Sequence, residues 1–160
     1  MNEAYLLTGG NMGNRAKNLE KACIEIEKTC GPIIDRSSIY ETAAWGIENQ
    51  EAFLNQALHI RTNLDSYGLL ENLLSIEERL GRKRAVKYGP RIIDIDILFF
   101  NNDIVNVPGL HIPHPHMQNR RFVLVPLNEI AGSFIHPVLN KTISTLLDNC
   151  ADPLTVNKIS

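Results

Sequence analysis

The pattern of hydrophobic and polar positions predicts four main strands. Residues 4–8 form a short apolar strand that runs into Gly9, and residues 33–42 and 53–62 also read as strands, separated by the loop 43–52. The fourth run, residues 92–100, is the most apolar of the chain and reads Ile-Ile-Asp-Ile-Asp-Ile-Leu-Phe-Phe. An Asn-Asn-Asp turn signal follows it directly.

Apolar positions at helical spacing predict helices between these strands. One helix is capped by Asn14, and a second begins at Ser66 and carries a row of leucines. Two further helices are predicted around 123–131 and 143–147. The order β-α-β-β-α-β predicts an α+β ferredoxin-like sandwich over residues 1–160, with helices on one face of an antiparallel sheet and the other face partly open.

Two carboxylates, Asp94 and Asp96, lie within the most apolar run. Side chains two apart on a strand point to the same face, roughly 6.5–7 Å apart. The alternate residues are expected to face the core: Ile93, Ile95, Ile97 and Phe99. Neighbouring carboxylates repel each other unless a cation lies between them, which favours a divalent metal held by oxygen. The alternative is a solvated pair on an exposed sheet face.

The segment that precedes this strand is strongly basic. It contains cations and no acid: Arg82, Lys83, Arg84, Lys87 and Arg91. Basic side chains beside a carboxylate pair suit a metal-bound polyphosphate, because the metal and the cations share its negative charge. Taken alone, the segment is also typical of a solvated surface loop.

Composition limits the class of protein. The chain has 160 residues, 44% of them hydrophobic, with Lys+Arg 16 against Asp+Glu 18 and a net charge of −2. These values predict one soluble domain and argue against broad nucleic-acid or membrane affinity. The N-terminus lacks the features of a signal peptide, so a cytoplasmic location is expected. Cys23, Cys30 and Cys150 lack metal-type spacing and are expected to be reduced.

Several familiar site types are not supported by the sequence. The glycines at 9–14 do not match Gly-x-Gly-x-x-Gly, and the chain has no P-loop motif. Prolines separate His111, His114 and His116, which disfavours a zinc site and leaves a phosphate-contacting or surface role. The other two histidines are expected to be structural.

Residues 87–98, Lys-Tyr-Gly-Pro-Arg-Ile-Ile-Asp-Ile-Asp-Ile-Leu, resemble the signature of the 6-hydroxymethyl-7,8-dihydropterin pyrophosphokinase family of the folate pathway. Residues 9–13 resemble its Gly-Ser-Asn-x-Gly turn, 40–42 and 53–55 its pterin-side segments, and 112–122 its closing segment. The resemblance implies that MgATP donates a pyrophosphoryl group to the pterin's hydroxymethyl oxygen, giving AMP. ATP and a reduced pterin would be the small-molecule partners, and association with other folate-pathway enzymes is left open.

The resemblance also implies a role for each matching residue. Asp94 and Asp96 would hold two Mg²⁺ ions that bridge the ATP phosphates and the attacking hydroxyl. The arginines that would neutralise phosphate charge in catalysis are Arg82, Arg84 and Arg91. The pterin would be bound by Thr42, Ala43, Trp45, Phe53, Asn55 and Phe122, with the two phenylalanines stacked on its ring. The residues assigned to ATP are Glu77, Arg84, Ile97, His114 and Arg120.

Some of these residues have alternative interpretations. Phe53 or Phe122 alone could be ordinary core, and Glu77 could lie on an exposed helix end instead of supporting the site. Ala44 and Tyr88 stand where the family usually has proline and tryptophan, which puts pterin affinity and loop closure in question.

Phosphoryl transfer depends mainly on positioning and charge neutralisation, so no side-chain base is required. The segments 43–52 and 82–90 are expected to act as lids that exclude water. Two other classes are weighed against this one. A different metal-dependent nucleotidyltransferase would have its glycine turn and Asp-x-Asp close in sequence, whereas here they are far apart. An RNA-binding module would need exposed aromatics on the central strands, which carry acids instead.

Overall fold

The computed structural model describes residues 1–43, 51–81 and 92–160. Its helices and strands are β1 Asn2–Gly10, α1 Arg15–Thr29, β2 Ile33–Arg36, β3 Tyr40–Thr42, β4 Phe53–Thr62, α2 Ser66–Arg79, β5 Asp94–Phe100, β6 Val105–Val107, β7 Leu110–Ile112, a short 3₁₀ helix Met117–Asn119, α3 Arg121–Ala131, α4 Ile143–Asp148 and β8 Val156–Lys158. No helix within these ranges is long and apolar enough to cross a membrane.

One antiparallel sheet organises the fold. Its strands lie in the order β5-β1-β4-β3-β8, and β2 also pairs with β4. The central pair, β1 and β4, stays in register from Asn2 opposite Thr62 to Gly10 opposite Leu54. The predicted α+β class with an antiparallel sheet is therefore confirmed. Strand β5 is at one edge of the sheet, so one side of its backbone is open to other elements.

Helices pack on both faces of this sheet, so the prediction that they all lie on one face is wrong. On one face, α1 and α2 pack on inward residues of the central strands, such as Leu6 and Leu58. On the other face, α3 and α4 contribute Leu124 and Ile143 to a second cluster that contains Leu7 of β1. The prediction counted only the helices of the β-α-β-β-α-β core. The apolar stripes of α3 and α4 also need a surface to pack on.

Residues 33–42 form two strands instead of the single predicted one. Ser37 interrupts the ladder, because its hydroxyl accepts from the Ala57 N–H at 2.9 Å and its carbonyl accepts from the Gln56 side chain at 2.9 Å. The Ser38 N–H leaves the sheet and donates to the Glu129 carboxylate of α3, at 3.0 and 3.1 Å from its two oxygens. The break thus involves the Ser37 side chain together with Glu129, a side chain distant in sequence.

Phe99 lies on the opposite face from the predicted one. The β1–β5 register shifts between Tyr5 and Leu6, which lie opposite Phe99 and Ile97. A shift of one residue moves every later side chain to the other face. Phe99 therefore packs in the second cluster, with its ring centroid 4.6 Å from that of Phe134, while Ile97 remains in the first cluster as predicted.

Candidate active site

Polar side chains meet at one end of the sheet, on the face that α3 covers. Asp94 pairs with Gly9, Gly9 with Asn55, and Asn55 with Tyr40, which gives one row across four strands. Directly opposite residues share a face, and neighbouring strands lie about 4.8 Å apart. Asp94 and Asn55 are separated by one strand, so their backbones are about 10 Å apart. The register thus puts the carboxylate strand and the predicted pterin residues on one surface.

Gly9 makes room for the side chain of Asn55. A Cβ atom at Gly9 would overlap the Asn55 Oδ1 atom and lie 3.3 Å from the Leu54 carbonyl oxygen. Asn55 is 4% exposed, so it has little space to move away. Gly9 and Gly10 were predicted to lie in a turn, but both belong to β1. The missed signal was a glycine at the end of an apolar run.

Glu77 lies directly behind the carboxylate strand. It is 4% exposed on α2, and its Oε2 atom accepts from the Ile95 N–H at 2.6 Å. The alternative of an exposed helix end is therefore wrong. This bond satisfies a donor at the outer edge of β5, and it acts on the residue between Asp94 and Asp96. Glu77 therefore holds the strand that presents the pair, in which Asp94 is half-buried and Asp96 exposed.

A cavity of about 390 Å³ runs along the outer edge of β5, between α2 and residues 109–115. Its size is in the range of small-molecule sites. It brings together five residues that the sequence assigned to metal or ATP: Glu77, Asp94, Asp96, Ile97 and His114. Seven other residues line it that were not predicted to bind ATP or metal: Leu70, Leu74, Ile95, Gly109, Leu110, His111 and Pro115. Arg120 is not among the residues that line it.

His114 is held at the end of β5 as a neutral imidazole. Its backbone N–H donates to the Leu98 carbonyl at 3.1 Å. Burial, followed by the charges of Arg120 and His116, lowers the pKa of His114 to about 4. Its Nδ1 atom accepts from the His116 N–H at 3.4 Å, which leaves Nε2 to carry the ring proton. A neutral N–H donor therefore lies beside a cavity that contains two carboxylates.

The predicted pterin residues lie on β3, β4 and the start of α3. Thr42 pairs with Phe53, and the Thr42 hydroxyl is buried with no hydrogen-bond partner among the described residues. Phe53 and Phe122 are both half-buried, so neither is a fully buried core residue. Ala43 is exposed at the end of β3.

Other predicted residues have different outcomes. The Arg120 guanidinium lies 5.8 Å from the centroid of the Phe122 ring, and its charge also reaches His114 of the cavity, which Arg120 itself does not line. The remaining predicted site residues lie outside the described ranges: Trp45, Arg82, Arg84 and Arg91. The predicted lid 82–90 and most of the predicted lid 43–52 also lie outside them.

A hydrogen-bond group ties α3 to β3 beside this site. The Tyr40 hydroxyl donates to Glu129 Oε1 at 2.6 Å, and the Ser38 hydroxyl donates to Glu129 Oε2 at 3.2 Å. Burial and the nearby Glu129 carboxylate raise the pKa of Tyr40 to about 12, so it remains a donor at neutral pH. Tyr40 and Asn55 lie opposite each other, so these hydrogen bonds lie beside Asn55, which is one of the predicted pterin-binding residues.

The donor set at the cavity fits Mg²⁺. Within the described ranges, no group of three or more His, Cys, Asp or Glu side chains could hold a metal ion alone. Asp94 and Asp96 offer two carboxylates on one strand face. Mg²⁺ is commonly bound by one or two carboxylates, with phosphate and water oxygens as its other ligands. The site therefore suits a metal that arrives with a phosphate substrate.

Comparison with known proteins points to one family. A family model described as 7,8-dihydro-6-hydroxymethylpterin-pyrophosphokinase (HPPK) matches residues 5–132. A 2-amino-4-hydroxy-6-hydroxymethyldihydropteridine pyrophosphokinase from Aquifex aeolicus is 39% identical over 143 residues, which cover 89% of this chain and 89% of that protein. The enzyme of the same name from Bacillus subtilis is 44% identical over 130 residues, 81% of this chain and 78% of that one.

Longer proteins also match. Folic acid synthesis protein FOL1 of Dictyostelium discoideum is 37% identical over 158 residues, 99% of this chain but only 24% of that protein. The crystal structure of Plasmodium falciparum HPPK-DHPS matches with a TM-score of 0.74 and 23% identity, covering 93% of this chain and 43% of that one. The chain thus spans about a quarter of FOL1 and under half of the fused enzyme. At this identity the structural match supports the fold alone.

Proposed function

The chain belongs to the 7,8-dihydro-6-hydroxymethylpterin-pyrophosphokinase family, and we propose that it performs that reaction in folate biosynthesis. A pyrophosphoryl group passes from MgATP to the hydroxymethyl oxygen of 6-hydroxymethyl-7,8-dihydropterin, giving AMP and the pterin diphosphate. The observation that carries the proposal is the row from Asp94 through Gly9 to Asn55. It offers a carboxylate strand and a buried amide on one surface, about 10 Å apart.

The cavity along β5 is the proposed ATP site. Asp94 and Asp96 would hold two Mg²⁺ ions, which when bound neutralise phosphate charge and orient the attacking hydroxyl. His114 is neutral, and its Nε2–H group would donate a hydrogen bond to a phosphate oxygen. Additional positive charge would come from the arginines that match the family motif: Arg82, Arg84, Arg91 and Arg120.

The proposed pterin site lies on the other side of β1. Phe53 and Phe122 would stack on the two faces of the ring, and Asn55 would pair with its hydrogen-bonding edge. The buried Thr42 hydroxyl and Ala43 would complete this side of the pterin site, and the resemblance to the family adds Trp45 to the residues that would bind the pterin. Gly9 supports the arrangement because a larger residue would push Asn55 out of place.

Catalysis in this arrangement depends on positioning. Glu77 holds β5 through the Ile95 N–H, which keeps both aspartates in one geometry. A rigid strand places the ATP phosphates and the pterin hydroxyl together, and this raises the rate without a side-chain base. The order β1-α1-β2-β3-β4-α2-β5, in which β2 and β3 take the place of one predicted strand, supports the ferredoxin-like assignment as part of the proposal. The single domain over 1–160 and the cytoplasmic location stay predictions. FOL1 and HPPK-DHPS are longer chains than this one, which is consistent with association with another folate-pathway enzyme. That association stays a prediction.

The identity of the nucleotide product tests the proposed function. The chain is incubated with MgATP and the reduced pterin, and the nucleotides are separated by chromatography. AMP formed in equal amount to the pterin diphosphate is expected. ADP would indicate transfer of a single phosphoryl group, and free pyrophosphate would indicate nucleotidyl transfer, so either would refute the proposal. The Asp96→Asn variant should form AMP much more slowly, because it loses a proposed metal ligand. Asp103→Asn, which changes an exposed carboxylate just after β5, is its matched control and should form AMP normally.

A further inference from the structure

Residues 152–158, here called the 152–158 segment, lie beyond the range that the family model matches, which ends at residue 132. No role for them follows from that match. Yet the segment contacts two of the three elements that carry the proposed pterin residues, namely β3 and α3. These contacts involve its first residue, Asp152, and its last three residues, which form β8.

Asp152 takes the place of a helix cap at the start of α3. The N-cap residue of α3, Arg120, makes no capping side-chain hydrogen bond within the described part of the chain. Instead the Asp152 Oδ2 atom accepts from the Arg121 N–H at 3.0 Å. A carboxylate at this end also faces the positive end of the helix dipole. The next residue after Arg121 is Phe122, so the bond acts on the turn that carries the proposed ring clamp.

Asp152 is itself held in place. Its Oδ1 atom accepts from the Leu154 N–H at 3.0 Å, which closes a short turn leading towards β8. One oxygen of the carboxylate thus binds α3, and the other orders the segment. This division explains why an aspartate suits the position better than a residue with a single acceptor.

β8 supports β3 from the other side. Thr42 lies opposite Val156, and Tyr40 lies opposite Lys158. β3 has only three residues, and without β8 it would be an edge strand with unpaired backbone groups. The charge of Lys158 also reaches Glu129 of α3. Burial alone would raise the pKa of Glu129, but hydrogen bonds from Tyr40 and Ser38, together with Lys158, lower it. The segment therefore binds α3 directly through Asp152, and the charge of Lys158 acts on Glu129 near the other end of the helix.

From these contacts we infer that the 152–158 segment is a positioning element of the pterin site. Asp152 sets the first turn of α3 and with it Phe122, while β8 sets β3 and with it Thr42. The segment touches no substrate in this arrangement. It fixes the distance between β3 and the first turn of α3, which come from different parts of the chain. The inference rests on the proposed function, because it assigns the segment to the pterin side of that site.

The test is a double-mutant cycle between Asp152 and Phe122. Pterin binding is measured by fluorescence titration, with and without a non-hydrolysable MgATP analogue, for Asp152→Ala, Phe122→Ala and the double variant. Asp152→Ala should raise the pterin dissociation constant by about 2-fold to 30-fold, the range of a lost helix cap if its whole cost falls on the bound state. In the Phe122→Ala background, the same change should have little further effect, because Asp152 acts through Phe122.

Two further variants separate positioning from general stability. Asp152→Asn keeps one side-chain oxygen that can accept from the Arg121 N–H, so it should restore most of the affinity that Asp152→Ala loses. Asp148→Ala removes an exposed carboxylate at the end of α4 and is the matched control, with no expected change. Thermal unfolding of every variant shows whether it remains folded.

Several results would overturn the inference. These are an unchanged pterin affinity in Asp152→Ala, additive losses in the cycle, equal losses for pterin and the MgATP analogue, or an Asp152→Asn variant as weak as Asp152→Ala. AMP formation by the unmodified chain is measured in the same preparation. Its absence would overturn the proposed function and this inference together. Normal AMP formation with an uncoupled cycle would overturn this inference only.

Discussion

Replacing Gly9 with alanine should damage pterin binding without touching the proposed ATP cavity. The added methyl group would occupy the position of Asn55 Oδ1, and Asn55 is 4% exposed on a central strand. Either the amide rotates away from the substrate or the two strands separate. The side-chain torsions of one residue cost less to change than a paired backbone, so we expect Asn55 to move.

The size of the effect follows from the hydrogen bonds that Asn55 can make. Its amide can offer one donor and one acceptor to the edge of a heterocycle, which gives two hydrogen bonds. Each contributes about 0.5–1.5 kcal/mol net, so losing both costs about 1–3 kcal/mol. At 1.4 kcal/mol per tenfold change, the pterin dissociation constant should rise about 5-fold to 150-fold.

The assay is equilibrium binding of the reduced pterin and, separately, of MgATP. Gly9→Ala is compared with Asn55→Ala and with the double variant. Asn55→Ala removes the group that the new methyl would strike, so the double variant should bind pterin about as well as Asn55→Ala alone. MgATP affinity should change little in all three, because Gly9 is not among the residues that line the cavity.

Two outcomes would refute this reasoning. Losses that add in the double variant would mean that Gly9 matters for a reason unrelated to Asn55, such as strain against the Leu54 carbonyl. Equal losses of pterin and MgATP affinity would mean that the sheet as a whole is disturbed. Thermal unfolding would then show a matching fall in stability.

Three other predictions concern the metal pair, the ring clamp and pH. Asp94→Asn and Asp96→Asn should each lower single-turnover rates roughly a hundredfold or more, because each removes a negatively charged metal ligand that acts in the transition state. Thermal unfolding should change little. Near-normal rates in both variants would contradict the two-metal proposal. Phe53→Ala and Phe122→Ala should each weaken pterin binding by about 1–3 kcal/mol, the value for base–aromatic stacking, and equal loss of MgATP affinity would indicate core disruption. Burial lowers the pKa of His136, so as pH falls below about 6.5 the unfolded chain binds a proton that the folded chain does not, and stability should fall. Denaturant unfolding at pH 7.5 and 5.5 should show a smaller fall for His136→Asn than for the unmodified chain, and an equal fall would contradict this.

The pattern of hydrophobic and polar residues predicted strands and helix starts correctly where the interacting residues are also close in sequence. β4 spans the predicted 53–62, and Asn14 caps α1 by accepting from the Lys17 N–H at 3.1 Å. α2 begins at the predicted Ser66, although the capping side chain is that of Asp65, which accepts from the Gly68 N–H at 2.7 Å. Strand alternation and helix capping act over a few residues, so one stretch of sequence contains the whole interaction.

The local pattern misled where a distant group decides the geometry. The break between β2 and β3 depends on Glu129, which is 91 residues from Ser38. Phe99 changes face because the register against β1 shifts, a property of the strand pair and not of either strand. Asp152 likewise caps a helix that begins 31 residues earlier, and no spacing rule links the two.

The amino-acid sequence alone predicts the chemistry proposed for the site, because it contains a carboxylate pair on a strand, basic residues before it, and motifs that resemble one family. How these parts meet follows from the tertiary structure. It buried Glu77 against the Ile95 N–H, opened a cavity along the outer edge of β5, and put Asn55 over the space that Gly9 leaves. Each of these relations is a distance between residues far apart in the chain. Such distances depend on strand register and on how the helices pack, and these are properties of the whole fold.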